Sequence, residues 1–337
     1  MKYFRGSIIF AITCLLVAFG FGWYEGGINM ALSTLFIVAV LWVLEVSLSF
    51  DNAVVNVSTL KTMDATRRRR FLTWWIWIAV VGMRVVFPIV LVAIFGQISP
   101  RSALTLAITD ASQYGQILTS AHVSIAGFGW AFLMMVGFKF FFDSDKVTHW
   151  LHRIEIRLTK LGKIEAIEIV IVLLLLELIS YILPIHEAHD FFVSGVWGLV
   201  TYIIIHGVSE LMQASDTTGT VAKSGAMAFL YLELLDASFS LDGVIGAFAL
   251  STNLLVIALG LGIGAYFVRS ITIYLYEAGT LTEYRYLEHG AFYAIIALAL
   301  MMFAWAIRHI PELITGLVGA GLIGLALYSS WKHNTTK

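Results

Sequence analysis

Long apolar stretches separated by short polar turns run through the whole chain. A helix needs about 20 apolar residues to cross the hydrocarbon core of a bilayer. Ten stretches meet or approach that length, and each predicts a transmembrane helix: 7–24, 28–57, 71–95, 125–142, 165–183, 192–210, 227–250, 253–276, 289–307 and 311–331. Residues 96–124 are less apolar, and we expect an outer loop with a short interfacial helix there.

Composition agrees with this pattern. Of the 337 residues, 59% are hydrophobic and 13% charged, whereas a soluble domain has about 45–50% apolar and about 25% charged residues. These values exclude an ordinary soluble enzyme, a disordered protein and a nucleic-acid binder. A single cysteine, Cys14, excludes disulfide frameworks and multi-thiolate metal sites. The sequence therefore predicts an all-α, polytopic membrane protein.

The placement of basic residues predicts its orientation. With ten spans, sixteen of the 21 Lys and Arg residues fall on one side, including the run 67–70, and only Arg101 and Arg308 on the other. The remaining three lie within or at the ends of spans. By the positive-inside rule, both termini face the cytoplasm. The first stretch follows Lys2 and Arg5 as a signal peptide would, but no small-x-small cleavage site follows, so we expect a retained span.

A short polar motif occurs twice. Residues 45–51 (EVSLSFD) and 236–242 (DASFSLD) share the pattern acid-x-Ser-x-Ser-x-Asp, and each copy precedes a span with one arginine, Arg84 or Arg269. The copies lie in spans two and seven, so the two units cross the membrane in opposite senses. We predict two inverted three-helix repeats (28–142 and 227–307), linker helices (165–210) and peripheral helices (7–24 and 311–331). Inverted repeats with matching polar sites are typical of transporters.

Carboxylates within apolar spans are costly unless they are protonated, paired or bound to a cation. Pairing with the two arginines would give the acids a purely structural role. The acids outnumber the arginines, however, and the five in the motif helices are Glu45, Asp51, Glu233, Asp236 and Asp242. Glu177 and Glu210 add to this surplus. Oxygen ligands without thiolates favour a hard cation such as manganese, magnesium or calcium.

The motif spacing restricts how one ion could be held. On an ideal helix Glu45 and Asp51 lie about 120° apart. Either the helix unwinds between residues 47 and 51, or one acid binds the ion while the other carries a proton or pairs with arginine. We favour Asp51 and Asp242 as ligands, with Asn52 adding a carbonyl oxygen. Four serines supply hydroxyls or bond back to helix carbonyls: Ser47, Ser49, Ser238 and Ser240.

Three features outside the motifs have simpler interpretations beside the functional ones. His206 and Glu210, four residues apart, either share a ligand or proton or form a local hydrogen bond. Residues 143–164, which include His149, His152 and Glu155, predict an amphipathic surface helix, with metal sensing as the alternative. The glycines of 260–264 and 316–324 are expected to allow close helix packing.

The motifs also carry a family resemblance. Glu45 with SFDNA (49–53), and Glu233 with LDASFSLDGVIGAF (235–248), resemble the paired signature of the TerC family of integral membrane proteins. The likeness extends over roughly 30–310. It implies manganese export across the bacterial inner membrane, with site residues Glu45, Asp51, Asn52, Glu233, Asp236 and Asp242. Gly243 stands where many relatives have serine, which removes one hydroxyl from the implied ligand set.

Together these observations predict a secondary transporter rather than an enzyme. It would export a divalent cation, manganese by resemblance, with proton exchange as a reasonable coupling and no organic cofactor. The alternatives are an accessory membrane protein that loads metal into exported enzymes, and an oxyanion permease of the tellurite type using Arg84 and Arg269. The expected partners are lipid and the ion, not nucleic acid, and the sequence leaves the oligomeric state open.

Overall fold

The structure is a computed structural model that describes residues 3–62, 81–82, 85–214, 247, 250–251, 253–307 and 312–335. Within these residues it is helical and contains no strand, which confirms the all-α prediction. Thirteen helices follow one another in the described part of the chain: α1 Arg5–Leu48, α2 Phe50–Thr62, α3 Phe87–Phe95, α4 Pro100–Thr109, α5 Ala111–Ser120, α6 His122–Phe141, α7 His152–Leu161, α8 Ile167–Ser180, α9 Ile185–Ala214, α10 Leu254–Glu277, α11 Thr280–Glu283, α12 Leu287–Ile307 and α13 Glu312–Thr335.

Four of the described helices (α1, α6, α10 and α12) are long and apolar enough to cross a membrane. The longest, α1, has a non-helical backbone at Gly26 and Gly27, where Gly27 adopts a φ of 70°. Glycine accepts this left-handed conformation without a Cβ clash. The kink divides α1 into two arms at the boundary predicted between spans one and two. These helices indicate a membrane protein; the count of ten spans stays a prediction.

Helices α6 and α12 pack against each other in antiparallel orientation. The ring of His122, at the start of α6, lies 5.3 Å from that of Trp305 near the end of α12. At the other end of the same pair, the rings of Phe141 and Tyr293 are 4.4 Å apart. The main core joins these two helices to α2, α8, α9 and α10. In a second cluster, α3, α4 and α5 pack beside α10.

The prediction for residues 96–124 is wrong in its detail. Two consecutive helices, α4 and α5, occupy most of this segment in place of a loop with one short helix. Side-chain caps explain their positions: Ser99 accepts from the backbone N–H of Ser102, and Asp110 from that of Gln113. Such caps satisfy backbone donors that the first helical turn leaves without partners.

The amphipathic surface helix predicted for 143–164 also needs correction. Only His152–Leu161 forms helix α7. The Glu155 side chain, expected on the surface, is fully buried. It is buried because residues of other segments, among them Lys146, His289 and Tyr293, contact its carboxylate.

Candidate functional site

The first motif lies where the second arm of α1 meets α2. Glu45, Ser49 and Asn52 are all buried. Asp51 belongs to α2, but its side chain is outside the described residues. The same holds for Arg84 and for every site residue predicted in the second motif: Glu233, Asp236, Ser238, Ser240 and Asp242. The predicted pairing of Asp51 with Asp242 therefore stays a prediction.

The motif helix is interrupted at one residue. Ser49 closes α1 with φ −101° and ψ 13°, and α2 begins at Phe50. The backbone N–H of Ser49 donates to the Glu45 carbonyl, and that of Ala53 to the Ser49 carbonyl. The helix is thus interrupted for one residue at Ser49, without a long unwound segment. The Ser49 hydroxyl donates to Glu45 Oε1 over 2.9 Å, which ties the break to the buried carboxylate.

Glycine allows α10 to approach this carboxylate closely. A Cβ on Gly264 would lie 2.4 Å from Cγ of Glu45, and one on Gly260 would lie 2.5 Å from Cβ of Leu41. These contacts confirm the close-packing role predicted for residues 260–264. The same prediction for 316–324 is wrong at Gly321 and Gly324, where a Cβ would meet nothing within 4 Å. Because Gly264 is near the middle of the apolar helix α10, the Glu45 side chain lies at mid-depth of that helix.

Ser47 is on a different face from Glu45. Its side chain is exposed, and its hydroxyl donates to the Val43 carbonyl of its own helix over 2.8 Å. It borders a cavity of about 860 Å³ whose other described lining residues are apolar and come mainly from α1 and α13. The back-bonding option predicted for the serines is therefore observed at Ser47, while the Ser49 hydroxyl is bonded to the carboxylate.

Three other predicted site residues are described by the structure, and they belong to helices other than the one that carries Glu45. Arg269 is half-buried on α10, with its guanidinium 5.7 Å from the Tyr266 ring. Glu177 is exposed on α8 and accepts a hydrogen bond from the Tyr181 hydroxyl. His206 stacks on Tyr202 within α9, with ring centroids 5.6 Å apart. The side chain of Glu210 is outside the described residues.

Asn56 is a buried polar residue that the sequence analysis did not single out. It lies one turn beyond Asn52 on α2 and is 1% exposed. The spacing of four residues from Asn52 was the available signal. Among the described residues, no group of three or more His, Cys, Asp or Glu side chains is arranged to hold a metal ion. The described half of the candidate site is thus one carboxylate with hydroxyl and amide oxygens.

A second polar cluster surrounds Glu155. Its carboxylate accepts hydrogen bonds from the backbone N–H of Leu151 (3.0 Å) and from the Tyr293 hydroxyl of α12 (3.1 Å). Oε2 also lies 3.4 Å from Lys146 Nζ and 3.4 Å from Nε2 of His289. That Nε2 is 2.8 Å from the Thr148 carbonyl, so it carries the proton. The cluster fastens the segment between α6 and α7 to the start of α12.

Burial and charge act against each other in this cluster. Burial by itself would raise the pKa of Glu155, but hydrogen bonds from His289 and Leu151 and the charge of Lys146 lower it to about 2. Burial lowers the pKa of Lys146, while the attraction of Glu155 opposes that shift. Its ammonium lies 3.7 Å from the centroid of the Phe140 ring. Glu155 is therefore a buried carboxylate with several partners. The local sequence pattern gave no indication that this side chain would be buried.

Comparison with known proteins adds a family but no function. No curated protein and no solved structure matches the chain. A family model described as "Protein of unknown function (DUF475)" matches residues 50–337, which is most of the chain. The match begins directly after the interruption at Ser49 and includes α2 and all later helices. The chain therefore belongs to the DUF475 family.

Proposed function

We propose that the protein is a secondary transporter that exports a hard divalent cation across the bacterial inner membrane. Manganese is the cation that we propose as its substrate. The observation that carries this proposal is Glu45, a carboxylate that is 1% exposed at mid-depth of the apolar helix α10. An ionisable side chain at such a position is costly, and such residues commonly mark an ion or substrate path. Buried Asn52 adds oxygen ligand chemistry suited to manganese, magnesium or calcium.

The packing of the third spans supports the inverted repeats within this proposal. Helix α6 closes the first predicted unit and α12 the second. They run antiparallel with their ends in contact, as counterparts of opposite orientation would. Proton exchange through carboxylates that do not bind the ion would supply the coupling. The resemblance to the TerC family selects manganese among the hard cations.

The test is manganese flux into proteoliposomes with a pH-sensitive dye inside. We expect the double variant Asp51→Asn/Asp242→Asn to reduce flux to that of empty liposomes, because each change removes a negatively charged ligand without altering side-chain size. The wild type should move protons opposite to manganese. The matched control is Glu165→Gln, which neutralises an exposed carboxylate just before α8 and should leave flux unchanged.

The possible outcomes separate the hypotheses. Wild-type flux in a folded double variant would contradict the choice of Asp51 and Asp242 as ligands. No flux of manganese, calcium or magnesium in folded wild-type protein would overturn the transporter and favour the accessory metal-loading protein. Flux of an oxyanion that requires Arg269 would instead favour the permease.

A further inference from the structure

Four buried polar side chains form a stripe along the α1–α2 motif helix. Glu45, Ser49, Asn52 and Asn56 are between 0% and 3% exposed. At ~100° per residue, their spacing of four, three and four places them within about 60° of one another. The two backbone hydrogen bonds across Ser49 keep the helical path nearly continuous there. We call these four residues the polar stripe.

The polar stripe leads from the proposed ion site toward one end of the molecule. Glu45 lies at mid-depth of α10, and Asn56 lies eleven residues further, about 16 Å along a helix. Helix α2 ends at Thr62, next to Lys61. In the proposed orientation this end faces the cytoplasm, so the polar stripe spans the depth that an exported ion must cross first.

Asn56 is the least expected member of the polar stripe. Its neighbours Val55 and Val57 are buried hydrophobic core residues. Its Oδ1 atom is buried and accepts no hydrogen bond within the described part of the chain. A buried amide oxygen without a partner is costly and uncommon, and it calls for a water, an ion or a functional reason. An apolar side chain would suit packing at this position better.

We propose that Asn56 is a ligand for the divalent cation, or for its bound water, on a cytoplasmic access route formed by the polar stripe. This proposal rests on the transport function above and assigns the route by which the ion reaches the acids. A carboxamide oxygen is a hard donor without a fixed charge. It stabilises a partly dehydrated cation but holds it less firmly than a carboxylate, so the ion can move on to Glu45.

The test compares two substitutions of Asn56 in the purified, full-length protein. Asn56→Leu keeps the approximate size and removes the oxygen, while Asn56→Asp keeps an oxygen and adds charge. The readouts are the rise in Tm with increasing MnCl₂ in detergent and manganese flux in proteoliposomes. The matched control is Ser58→Ala on the opposite face of α2, where the hydroxyl donates to the Val55 carbonyl of its own helix.

We expect Asn56→Leu to fold with an unchanged or higher Tm without metal, and to bind manganese about 10- to 100-fold more weakly, as loss of a metal-site hydrogen-bonding group typically does. Its flux should fall by a similar factor. Asn56→Asp should bind manganese more tightly and release it more slowly, and Ser58→Ala should behave as wild type.

Two results would overturn the proposal in distinguishable ways. Wild-type affinity and flux in Asn56→Leu would remove Asn56 from the route while leaving the transporter in place. If Asn56→Leu does not fold, a wild-type affinity of Asn56→Asp for manganese would likewise remove Asn56 from the route. A wild-type protein that neither binds nor transports the cation would overturn the proposed function itself, and this inference with it.

Discussion

At the scale of single residues, Glu45 and Glu155, the carboxylates that are buried in the described part of the chain, have different surroundings. Glu155 is close to Lys146, His149 and His289, so its charge is compensated within the protein. Glu45 accepts from the hydroxyl of Ser49 and is packed against Gly264. A carboxylate held by a buried ammonium and by several hydrogen-bond donors from other segments is suited to holding those segments together. One on the polar stripe is the better candidate for an exchangeable ion.

We predict that Glu155→Gln destabilises the protein by about 3 kcal/mol, because it leaves the buried Lys146 ammonium without its counter-charge. The measurement is thermal unfolding in detergent at pH 7. The control is Glu168→Gln, since Glu168 pairs at 3.8 Å with Lys139, whose side chain is about half exposed. Loss of such a pair should cost less than about 1 kcal/mol. Equal losses in both variants would contradict the structural role of Glu155.

Acid should remove this difference between wild type and Glu155→Gln. The folded-state pKa of Glu155, about 2, is below its ordinary value of 4.5, so the carboxylate stabilises the fold fully above pH 4.5. That contribution is lost as the pH falls from about 4.5 through 2. Melting curves of both variants over this range should therefore converge toward the acid end. A gap that stays constant would show that the Glu155 charge does not stabilise the fold.

At the scale of elements, the close approach of α1 and α10 depends on glycine. We predict that Gly264→Ala lowers Tm and manganese flux together, because the new Cβ would meet Cβ and Cγ of Glu45 at 2.5 and 2.4 Å. The control is Gly321→Ala on α13, where a Cβ would meet nothing within 4 Å and the better helix former should stabilise by up to about 1 kcal/mol. Wild-type behaviour of Gly264→Ala would mean that the Glu45 side chain moves aside without consequence.

Sequence predicted the long elements well, and for a physical reason. The starts and ends of α6, α10 and α12 lie within a few residues of the predicted spans, since an apolar run long enough to cross a bilayer specifies its own helix. For residues 96–124 the sequence predicted a loop with one short helix and not the two helices α4 and α5, because caps at Ser99 and Asp110 position them without a long apolar run.

The candidate site was only partly predictable. Burial of Glu45, Ser49 and Asn52 agrees with the motif, whose residues are close in sequence. The Glu155 cluster was not predicted, because Tyr293 and His289 are more than 130 residues away along the chain. Only tertiary packing brings them to the carboxylate, so the local pattern indicated an exposed residue on an amphipathic helix.

At the scale of the whole molecule, contacts group several predicted cytoplasmic segments at one end. Arg285 lies 2.9 Å from His333, which joins the turn before α12 to the end of α13. His289 contacts the Thr148 carbonyl, so the segment between α6 and α7 is at this end too. The start of α1 is near the last turns of α10, where the Tyr3 and Tyr274 rings are 5.9 Å apart. This grouping is the one that the charge asymmetry requires.

The ten-span topology makes a direct prediction about accessibility. Seven predicted spans separate residues 113 and 332, so Gln113 and Lys332 should face opposite sides; six separate residues 163 and 332, so Lys163 and Lys332 should share one. All three side chains are exposed. Single cysteines at these positions, in a Cys14→Ala background, can be tested with a membrane-impermeant maleimide on intact spheroplasts. We expect labelling at 113 alone, and labelling at all three only after lysis.

The parity of the labelling also tests the repeat, because the two motif helices can have opposite orientations only if an odd number of steps separates them in the span order. Labelling of positions 113 and 332 from the same side would require an even number of crossings between them. The predicted count of spans between them would then be wrong by an odd number, and if the error lies before the second motif helix, the two units could not be inverted. Labelling of 113 alone would instead place one end of the molecule in the cytoplasm, where an exported cation must enter. This end holds the Glu155 cluster and the last turn of α2.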